Sequence, residues 1–339
     1  MRKHTSAVVA AASVLVVTAA CAGADGGGDG DLEVVDVIHV PSTLFSPLYV
    51  ADARGYFADE GLELSMETVQ AGQDAIPLTA AGQADVLVAG LGSGLFSAVN
   101  DDLEIKVVGS MGGGGGEEDN SPSALMVAAD LVESGEIAEV GDLEGRTVAL
   151  SGDLGGAGAY QLATILEQGD LTLDDIEALN VDFGDMAGAL ESGGADAALP
   201  PAPFTSAMIE DGTAEQFALP PEGTIASGVL YGEHFLESDQ AQPFFDALVR
   251  ASADLQEDPY DPEILEVLAE ATEQDIEVLE ESPTYVWYPD LAPAQDQLEA
   301  QQEAYREAGL FDFPESVSIE EQVVDTSFAE ASDAGAAQD

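Results

Sequence analysis

The alternation of apolar and polar residues predicts a strand–helix–strand unit near the start of the chain. Residues 34–40 are almost wholly apolar, as in a buried strand, and along residues 62–67 apolar positions alternate strictly with acidic or polar ones. Between them, the apolar face that starts at Pro47 predicts a helix, with Ser46 as its N-terminal cap. Gly55 ends this helix, because glycine enters the left-handed conformation without a steric penalty. The unit is a βαβ start, for which a right-handed crossover is expected.

Short apolar runs bounded by glycine predict further strands. They cover residues 85–89, 103–111, 124–128, 146–150, 176–183, 196–200 and 224–232. The runs at 124–128 and 224–232 are interpreted as crossovers to a second lobe and back. Helical periodicity dominates from Gln242 onward, and the last residues carry no apolar periodicity. The pattern therefore predicts two α/β lobes rather than one continuous sheet.

Two segments of the chain resemble a known family. PLYVADARGYFADEGLEL, from Pro47 to Leu64, resembles the opening signature of periplasmic solute-binding proteins of the nitrate/sulfonate/taurine and thiamine-precursor type. DLEGRTVAL, which ends at Leu150, is similar to the segment where the second lobe of that family begins. The resemblance implies an α/β, two-lobed periplasmic-binding-protein fold of type II. In that fold each lobe is a mostly parallel sheet flanked by helices, and two crossover strands join the lobes.

The N-terminal residues predict export and lipid anchoring. A basic start at residues 2–4 and an apolar run at 7–17, too short to span a bilayer, indicate a signal peptide. TAAC resembles a lipobox with Thr18 in place of the usual leucine, and Cys21 is the chain's only cysteine. We expect lipidation at Cys21 and a membrane anchor on the outer face of the cell. The alternative is simple cleavage with an incidental cysteine.

These patterns give a predicted division of the chain. A signal peptide (1–20) is followed by the lipidated cysteine with a flexible tether (21–32), the first part of lobe 1 (33–123), lobe 2 (124–228), a return to lobe 1 with C-terminal helices (229–328) and a disordered tail (329–339).

An acidic surplus dominates the composition. The chain has 67 Asp and Glu against 7 Lys and Arg, a formal net charge of −60 at pH 7. Because such a surface has no basic patch to neutralise phosphates, nucleic acid is excluded as a partner. Self-repulsion on this scale is tolerated where salt screens it, since the Debye length falls to about 3 Å at 1 M. For an exported protein we therefore hypothesise a saline habitat and a halophilic chain.

Turns at strand ends predict a ligand-binding cleft. Ligands of open α/β sheets gather there because helix amino ends present free N–H groups. Such turns fall at residues 41–45, 71–74, 90–94, 151–158 and 184–186. Each serine or glycine taken singly is better explained as a cap or turn, but the coincidence favours a cleft. The candidate ligand-binding residues are Ser42, Thr43, Leu44, Phe45, Gly72, Gln73, Asp74, Gly92, Ser93, Gly94, Gly155, Gly156, Ala157, Asp185 and Trp287.

The basic residues after the signal segment all lie outside these turns. They are Arg54, Lys106, Arg146, Arg250 and Arg306. Their placement disfavours a ligand that needs a bidentate arginine clamp. An anion can still be held by helix amino ends alone, as the resemblance to sulfonate binders implies.

Acidic and aromatic residues are compatible with a second kind of ligand. Asp74, Asp153 and Asp185 can accept hydrogen bonds from a neutral or cationic heterocycle. The aromatic cluster TYVWYP, with Tyr285, Trp287 and Tyr288, can stack on such a ligand, although core packing explains it slightly better. The identity of the ligand therefore stays open at this stage.

The acidic trio of the glycine-rich loop at residues 112–123 is a candidate Ca²⁺ site. It consists of Glu117, Glu118 and Asp119. The spacing of these carboxylates fits no calcium-loop motif, and a solvated loop explains them better. We predict no metal site.

The predicted function is solute capture outside the cytoplasm. We expect a monomeric lipoprotein, without a cofactor, that binds a small organic molecule or oxyanion, sulfonate-type or thiamine-precursor-like, between its lobes. The family resemblance implies an ABC transporter permease with its cytoplasmic ATPase as the partner. The alternative is a fold-related enzyme, such as a pyrimidine-precursor synthase or a sulfinate hydrolase. That chemistry needs a reactive histidine or cysteine, whereas the mature chain offers only His39, inside a strand, and His234, so no catalytic residue is predicted.

Overall fold

The computed structural model describes residues 32–69, 71–114 and 121–332, and in them the apolar runs form two five-stranded sheets. The strands are β1 (Glu33–His39), β2 (Leu62–Thr68), β3 (Val86–Gly90), β4 (Ile105–Ser110), β5 (Leu125–Ala128), β6 (Thr147–Leu150), β7 (Glu177–Asn180), β8 (Ala197–Ala198), β9 (Ala214–Ala218) and β10 (Ser227–Gly232). Nearly all lie close to the predicted positions. We call the sheet that contains β1 and its flanking helices lobe 1, and the sheet that contains β6 and its helices lobe 2.

The two sheets share one topology. Lobe 1 has the strand order β2-β1-β3-β10-β4, and lobe 2 has the order β7-β6-β8-β5-β9. In lobe 1, β1 pairs in parallel with β2 and β3, and β10 is antiparallel to β3 and β4. In lobe 2, β6 pairs in parallel with β7 and β8, and β5 is antiparallel to β8 and β9. Each lobe is thus a mostly parallel sheet crossed by one reversed strand, and the predicted two-lobed α/β fold is confirmed.

Helices flank both sheets, as the 3.6-residue periodicity predicts. They are α1 (Ser46–Ala53), α2 (Tyr56–Asp59), α3 (Ile76–Ala80), α4 (Ser93–Asn100), α5 (Ala129–Ser134), α6 (Ala157–Leu166), α7 (Met186–Glu191), α8 (Phe204–Glu210), α9 (Glu233–Leu236), α10 (Ala241–Glu257), α11 (Pro262–Thr272), α12 (Ile276–Glu281), α13 (Gln295–Glu307) and α14 (Ser327–Ala331). The late helices α10 and α11 pack against α1 of lobe 1, so the C-terminal part of the chain returns to the lobe in which it began.

The turn after α1 is fastened to α10 by charged and aromatic side chains. Gly55 takes a left-handed φ of 73°, as the sequence predicts, and Gly61 takes one of 80°. Tyr56 and Arg54 both contact the carboxylate of Asp254, and the Arg250 guanidinium lies 4.0 Å from the centre of the Tyr56 ring. Two of the chain's few cations therefore hold the signature segment against lobe 1.

Two details of the sequence prediction are wrong. Ser46 does not cap α1 but is its first residue, and its hydroxyl donates to the Thr43 carbonyl oxygen at 2.6 Å. The cap moves upstream because a 3-10 turn at Thr43–Phe45 leads into the helix, and the Ser42 hydroxyl accepts from the N–H of Leu44. The disordered tail predicted from residue 329 also begins too early, since α14 continues to Ala331.

Candidate ligand-binding cleft

A cavity lies between the two sheets, at the ends of their parallel strands. Its volume is about 90 Å³, which is room for a small molecule because one water needs roughly 10–15 Å³. Both lobes and the segments that join them contribute to its walls. The lining residues are Val40, Ser42, Leu44, Phe45, Ala71, Gly72, Gln73, Gly90, Gly92, Ser123, Ser151, Gly156, Ala157, Gly158, Gln161, Phe183, Leu199, Pro201, Ala226 and Tyr285.

The structure brings many of the predicted site residues to this one cavity and leaves others outside it. Those in the lining are Ser42, Leu44, Phe45, Gly72, Gln73, Gly92, Gly156 and Ala157. Those outside it are Thr43, Asp74, Ser93, Gly94, Gly155, Asp185 and Trp287. Asp74 and Asp185 are exposed, because their positions in the short turns point the carboxylates toward solvent. Trp287 is buried behind the wall, where its indole N–H donates to the Leu44 carbonyl oxygen at 3.1 Å.

Side chains in the turns of lobe 1 donate hydrogen bonds across the cleft to backbone carbonyl oxygens of lobe 2. The Thr43 hydroxyl donates to the Ala202 carbonyl oxygen at 2.8 Å. The Gln73 side-chain amide donates to the Gly152 carbonyl oxygen at 3.2 Å, and the Ser93 hydroxyl donates to the Gly155 carbonyl oxygen at 3.3 Å. Thr43, Ser93 and Gly155 thus join the lobes instead of lining the cavity. The conformation described is closed.

Glycine permits the close approach of the two lobes. A Cβ atom at Gly92 would lie 2.3 Å from the Gly155 carbonyl oxygen, and one at Gly90 would lie 2.7 Å from Cβ of Ala157. Contacts this short between non-bonded atoms require one partner to move. The lobes can therefore close only because Gly90 and Gly92 have no side chain.

Two tyrosines complete the site: Tyr285, which the sequence offered only as part of an aromatic cluster, and Tyr305, which the sequence prediction did not include. The Tyr305 hydroxyl of α13 lies 3.2 Å from the Leu91 carbonyl oxygen and 3.0 Å from that of Gly156, so it bridges the lobes. The Tyr285 hydroxyl donates to the Pro122 carbonyl oxygen at 2.9 Å, in the segment that leads into lobe 2. Burial raises the pKa of both phenols well above the usual value, so both stay protonated and act as donors.

None of the described residues that line the cavity carries an ionised side chain. Its polar groups are hydroxyls, two carboxamides and backbone amides, and Tyr285 is its one titratable residue. Asp153, a predicted acceptor, is exposed, and its carboxylate accepts from the N–H of Leu154.

His39 is part of the core and not of the cavity. Its Nδ1 lies 3.0 Å from the Tyr49 hydroxyl, which donates to the Val40 carbonyl oxygen, and burial lowers the pKa of the imidazole. In residues 32–69, 71–114 and 121–332, no group of three or more His, Cys, Asp and Glu side chains is placed to hold a metal ion. The acidic trio Glu117, Glu118 and Asp119, like Cys21, lies outside the described residues.

Comparison with known proteins identifies the family. The sequence model described as "NMT1/THI5 like" matches residues 42–261. The chain belongs to this family. No curated protein matches the sequence significantly. The part of this family member that the structure describes contains no helix long and apolar enough to cross a membrane.

Solved structures share the fold of this NMT1/THI5-like protein at low identity. The alkanesulfonate-binding protein SsuA from Xanthomonas axonopodis pv. citri, bound to MOPS, is 18% identical with a TM-score of 0.69, over 87% of this chain and 99% of its own. The aliphatic sulphonate-binding protein SsuA from Escherichia coli is 20% identical with a TM-score of 0.64, over 87% and 92%. The nitrate-binding protein NrtA from Synechocystis PCC 6803 is 12% identical with a TM-score of 0.65, over 83% of each chain. These likenesses, all below 25% identity, show that the chain shares the fold of these proteins.

Substitution of Tyr305 by phenylalanine is expected to weaken the closed state. The change removes a buried hydroxyl that links the lobes, and such a hydrogen bond contributes about 1 kcal/mol. We expect the affinity for a bound solute to fall roughly fivefold. Tyr49→Phe is the matched control, because the Tyr49 hydroxyl bonds only within lobe 1 and its loss should lower stability without a specific loss of affinity. Calorimetric titration of both variants measures the difference, and equal affinities would remove Tyr305 from the closure mechanism.

Proposed function

We propose that the protein is the extracytoplasmic solute-binding component of an ABC importer. It captures a small organic molecule or an oxyanion, of the sulfonate or thiamine-precursor kind, and delivers it to a membrane permease driven by a cytoplasmic ATPase. One observation carries the proposal: a single cavity is walled by both lobes, and hydrogen bonds join those lobes across it. The family match and the periplasmic neighbours support the same function.

The mechanism is a closing movement about the two connecting segments. Gly114 pairs with Gly223 and Thr224 through backbone hydrogen bonds, so the outgoing and returning chains lie side by side where the lobes meet. In the open form the cavity admits a solute, and closure buries it as the bonds from Thr43 and Gln73 form. A ligand that contacts both lobes shifts the population toward the closed form, which the permease recognises.

A thermal-shift screen in high salt tests the proposal. The panel contains alkanesulfonates, taurine, nitrate, bicarbonate, thiamine pyrimidine precursors and riboflavin. A ligand present at one hundred times its dissociation constant stabilises the protein by about 2.7 kcal/mol, which a melting curve resolves. Trp287 is the only tryptophan and contacts the cavity wall through Leu44, so its fluorescence gives a second readout. Failure of every solute in both readouts would contradict the proposal.

We also propose that Cys21 carries the lipid that anchors the protein to the outer face of the cell membrane. A Cys21→Ser variant expressed in a bacterial host should move from the membrane fraction to the soluble exported fraction. Membrane association that is unchanged in this variant would contradict the anchor.

A further inference from the structure

A fully buried glutamine of α13 has no hydrogen-bond partner. Gln301 is 0% exposed, and neither its side-chain nitrogen nor its side-chain oxygen has a partner among the residues that the structure describes. A buried polar group without a partner loses its hydration and gains no hydrogen bond in exchange, so such groups are rare in folded proteins. The closed conformation therefore carries a free-energy cost at this residue.

The next residue shows that the same helix can satisfy a buried carboxamide. Gln302 is 4% exposed, and its side-chain nitrogen donates to the Val317 carbonyl oxygen at 3.0 Å. Its side-chain oxygen accepts from the N–H of Val317 at 2.7 Å. Two neighbouring glutamines of α13 are thus both buried, and they differ in whether their polar atoms are paired.

Gln301 lies on the face of α13 that follows the junction of the lobes. One turn before it, the Gln297 carboxamide accepts from the N–H of Ile225 at 2.6 Å and donates to the Gly223 carbonyl oxygen at 2.7 Å, in the returning connecting segment. One turn after it, the Tyr305 hydroxyl bridges the two lobes. Residues four apart are neighbours on a helix surface, so Gln301 lies between these two contacts.

Opening of the cleft changes the surroundings of this helix face. α13 packs against α4 of lobe 1 and against α6 of lobe 2. The Tyr305 hydroxyl bonds to Leu91 in one lobe and to Gly156 in the other, so both bonds cannot persist once the lobes separate. Separation admits water to the face, and water supplies the donor and the acceptor that the Gln301 carboxamide lacks. The cost of the unpaired carboxamide therefore falls on the closed form.

We propose that Gln301 regulates the opening of the cleft: its unpaired carboxamide disfavours the closed form, which keeps the empty protein open and promotes release of the solute. The inference rests on the proposed function, in which closure captures the solute and opening releases it. Tyr305, one turn away, acts in the opposite direction, because its bond between the lobes exists only in the closed form. These two residues together set how much binding energy a solute must supply to close the cleft.

A Gln301→Met variant tests this role, because methionine is similar in length, unbranched and needs no hydrogen-bond partner. An unsatisfied buried polar group changes an equilibrium constant about tenfold. We therefore expect the ratio of closed to open molecules without solute to rise about tenfold, and the affinity for the solute found in the screen to rise by a similar factor. Gln302→Met is the matched control. It removes two satisfied hydrogen bonds at the adjacent buried position, so it should lower the melting temperature and leave closure and affinity unchanged.

Closure of the empty protein is measured as the distance between one spin label on each lobe, at Ser65→Cys and Ser192→Cys in a Cys21→Ser background. This measurement needs no ligand, so it decides the inference even if the solute screen fails. The wild type should give mainly a long distance, and Gln301→Met should give more of the short one.

Two results of the distance measurement would overturn the proposal: equal distance populations in Gln301→Met and the wild type, or a wild type that shows only the short distance without solute. A fall in both melting temperature and affinity in Gln301→Met would also overturn it. That result would mean that Gln301 is satisfied in the closed form, for example by a buried water molecule, and stabilises closure instead of opposing it.

Discussion

Replacement of Gly92 by alanine is expected to hold the lobes apart and to weaken solute binding about 100-fold, with the fold intact. The new Cβ would lie 2.3 Å from the Gly155 carbonyl oxygen of the opposite lobe, a backbone atom that cannot rotate away. The backbone of Gly92 is extended, with φ of −101° and ψ of −179°, so alanine fits within lobe 1 without strain. The clash therefore exists only when the cleft is closed. If only about 1% of the Gly92→Ala molecules can still close, the apparent dissociation constant rises roughly 100-fold.

Gly94→Ala provides a closely matched control. It is the same substitution two residues away, and its Cβ would meet only Ile76 and Gln73 of its own lobe at 3.6 Å or more. Both variants should melt within a few degrees of the wild type, whereas only Gly92→Ala should lose affinity for the solute found in the screen.

Closure in these variants is measured as the distance between two spin labels, one on each lobe. Labels at Ser65→Cys and Ser192→Cys, both at exposed positions, are placed in a Cys21→Ser background. With saturating solute, the wild type and Gly94→Ala should give one short distance, and Gly92→Ala a longer one. A short distance and unchanged affinity in Gly92→Ala would show that the glycine does not govern closure.

The strands and the first helical unit were predictable because local pattern determines them. Residue 55 takes a left-handed backbone, which glycine adopts without a steric penalty whatever surrounds it, and an apolar run such as residues 86–89 is buried in any fold of this class. The start of α1 was predicted one residue late, and Ser42 was missed as the capping residue. A 3-10 turn before a helix leaves no distinct signal in the sequence, since Ser46 and Ser42 are equally good caps by residue type.

The candidate cleft was predictable only in part, for a reason of topology. Parallel strands end at one edge of a sheet, so Gln73 and Gly156 could be expected near each other before any coordinates were known. Ser123 and Ala226 belong to the connecting segments, and Tyr285 follows the late helices, so their place depends on packing between distant parts of the chain. Gln161 was missed because it lies a full turn inside α6, where turn composition gives no indication.

The stability of the protein is expected to rise steeply with salt. The formal net charge is −60, so carboxylates lie close together at the surface and repel one another. Glu233, for example, lies next to Glu104, and a hydrogen bond with Glu104 together with its negative charge raises the pKa of the Glu233 carboxyl. The few ion pairs, such as Arg250–Asp59, are partly exposed, and each contributes about 0–1 kcal/mol. Salt weakens these pairs, but it also screens many more repulsive pairs, since the Debye length falls from about 10 Å at 0.1 M to about 3 Å at 1 M. Repulsion therefore dominates the balance.

We expect the melting temperature to rise by roughly 10 °C or more between 0.1 and 2 M KCl, which corresponds to a few kcal/mol for a chain of this size. Calorimetry at pH 7 measures the rise. The control variant replaces exposed, unpaired glutamates of α11 and α12 by glutamine, which removes charge and keeps helix propensity. Its positions are Glu266, Glu270, Glu277 and Glu280. This variant should melt higher than the wild type at 0.1 M KCl and should respond less to added salt, because part of the repulsion that salt screens is already gone. A melting temperature that does not rise between the two salt concentrations would contradict the argument from charge, and with it the expectation of a saline habitat.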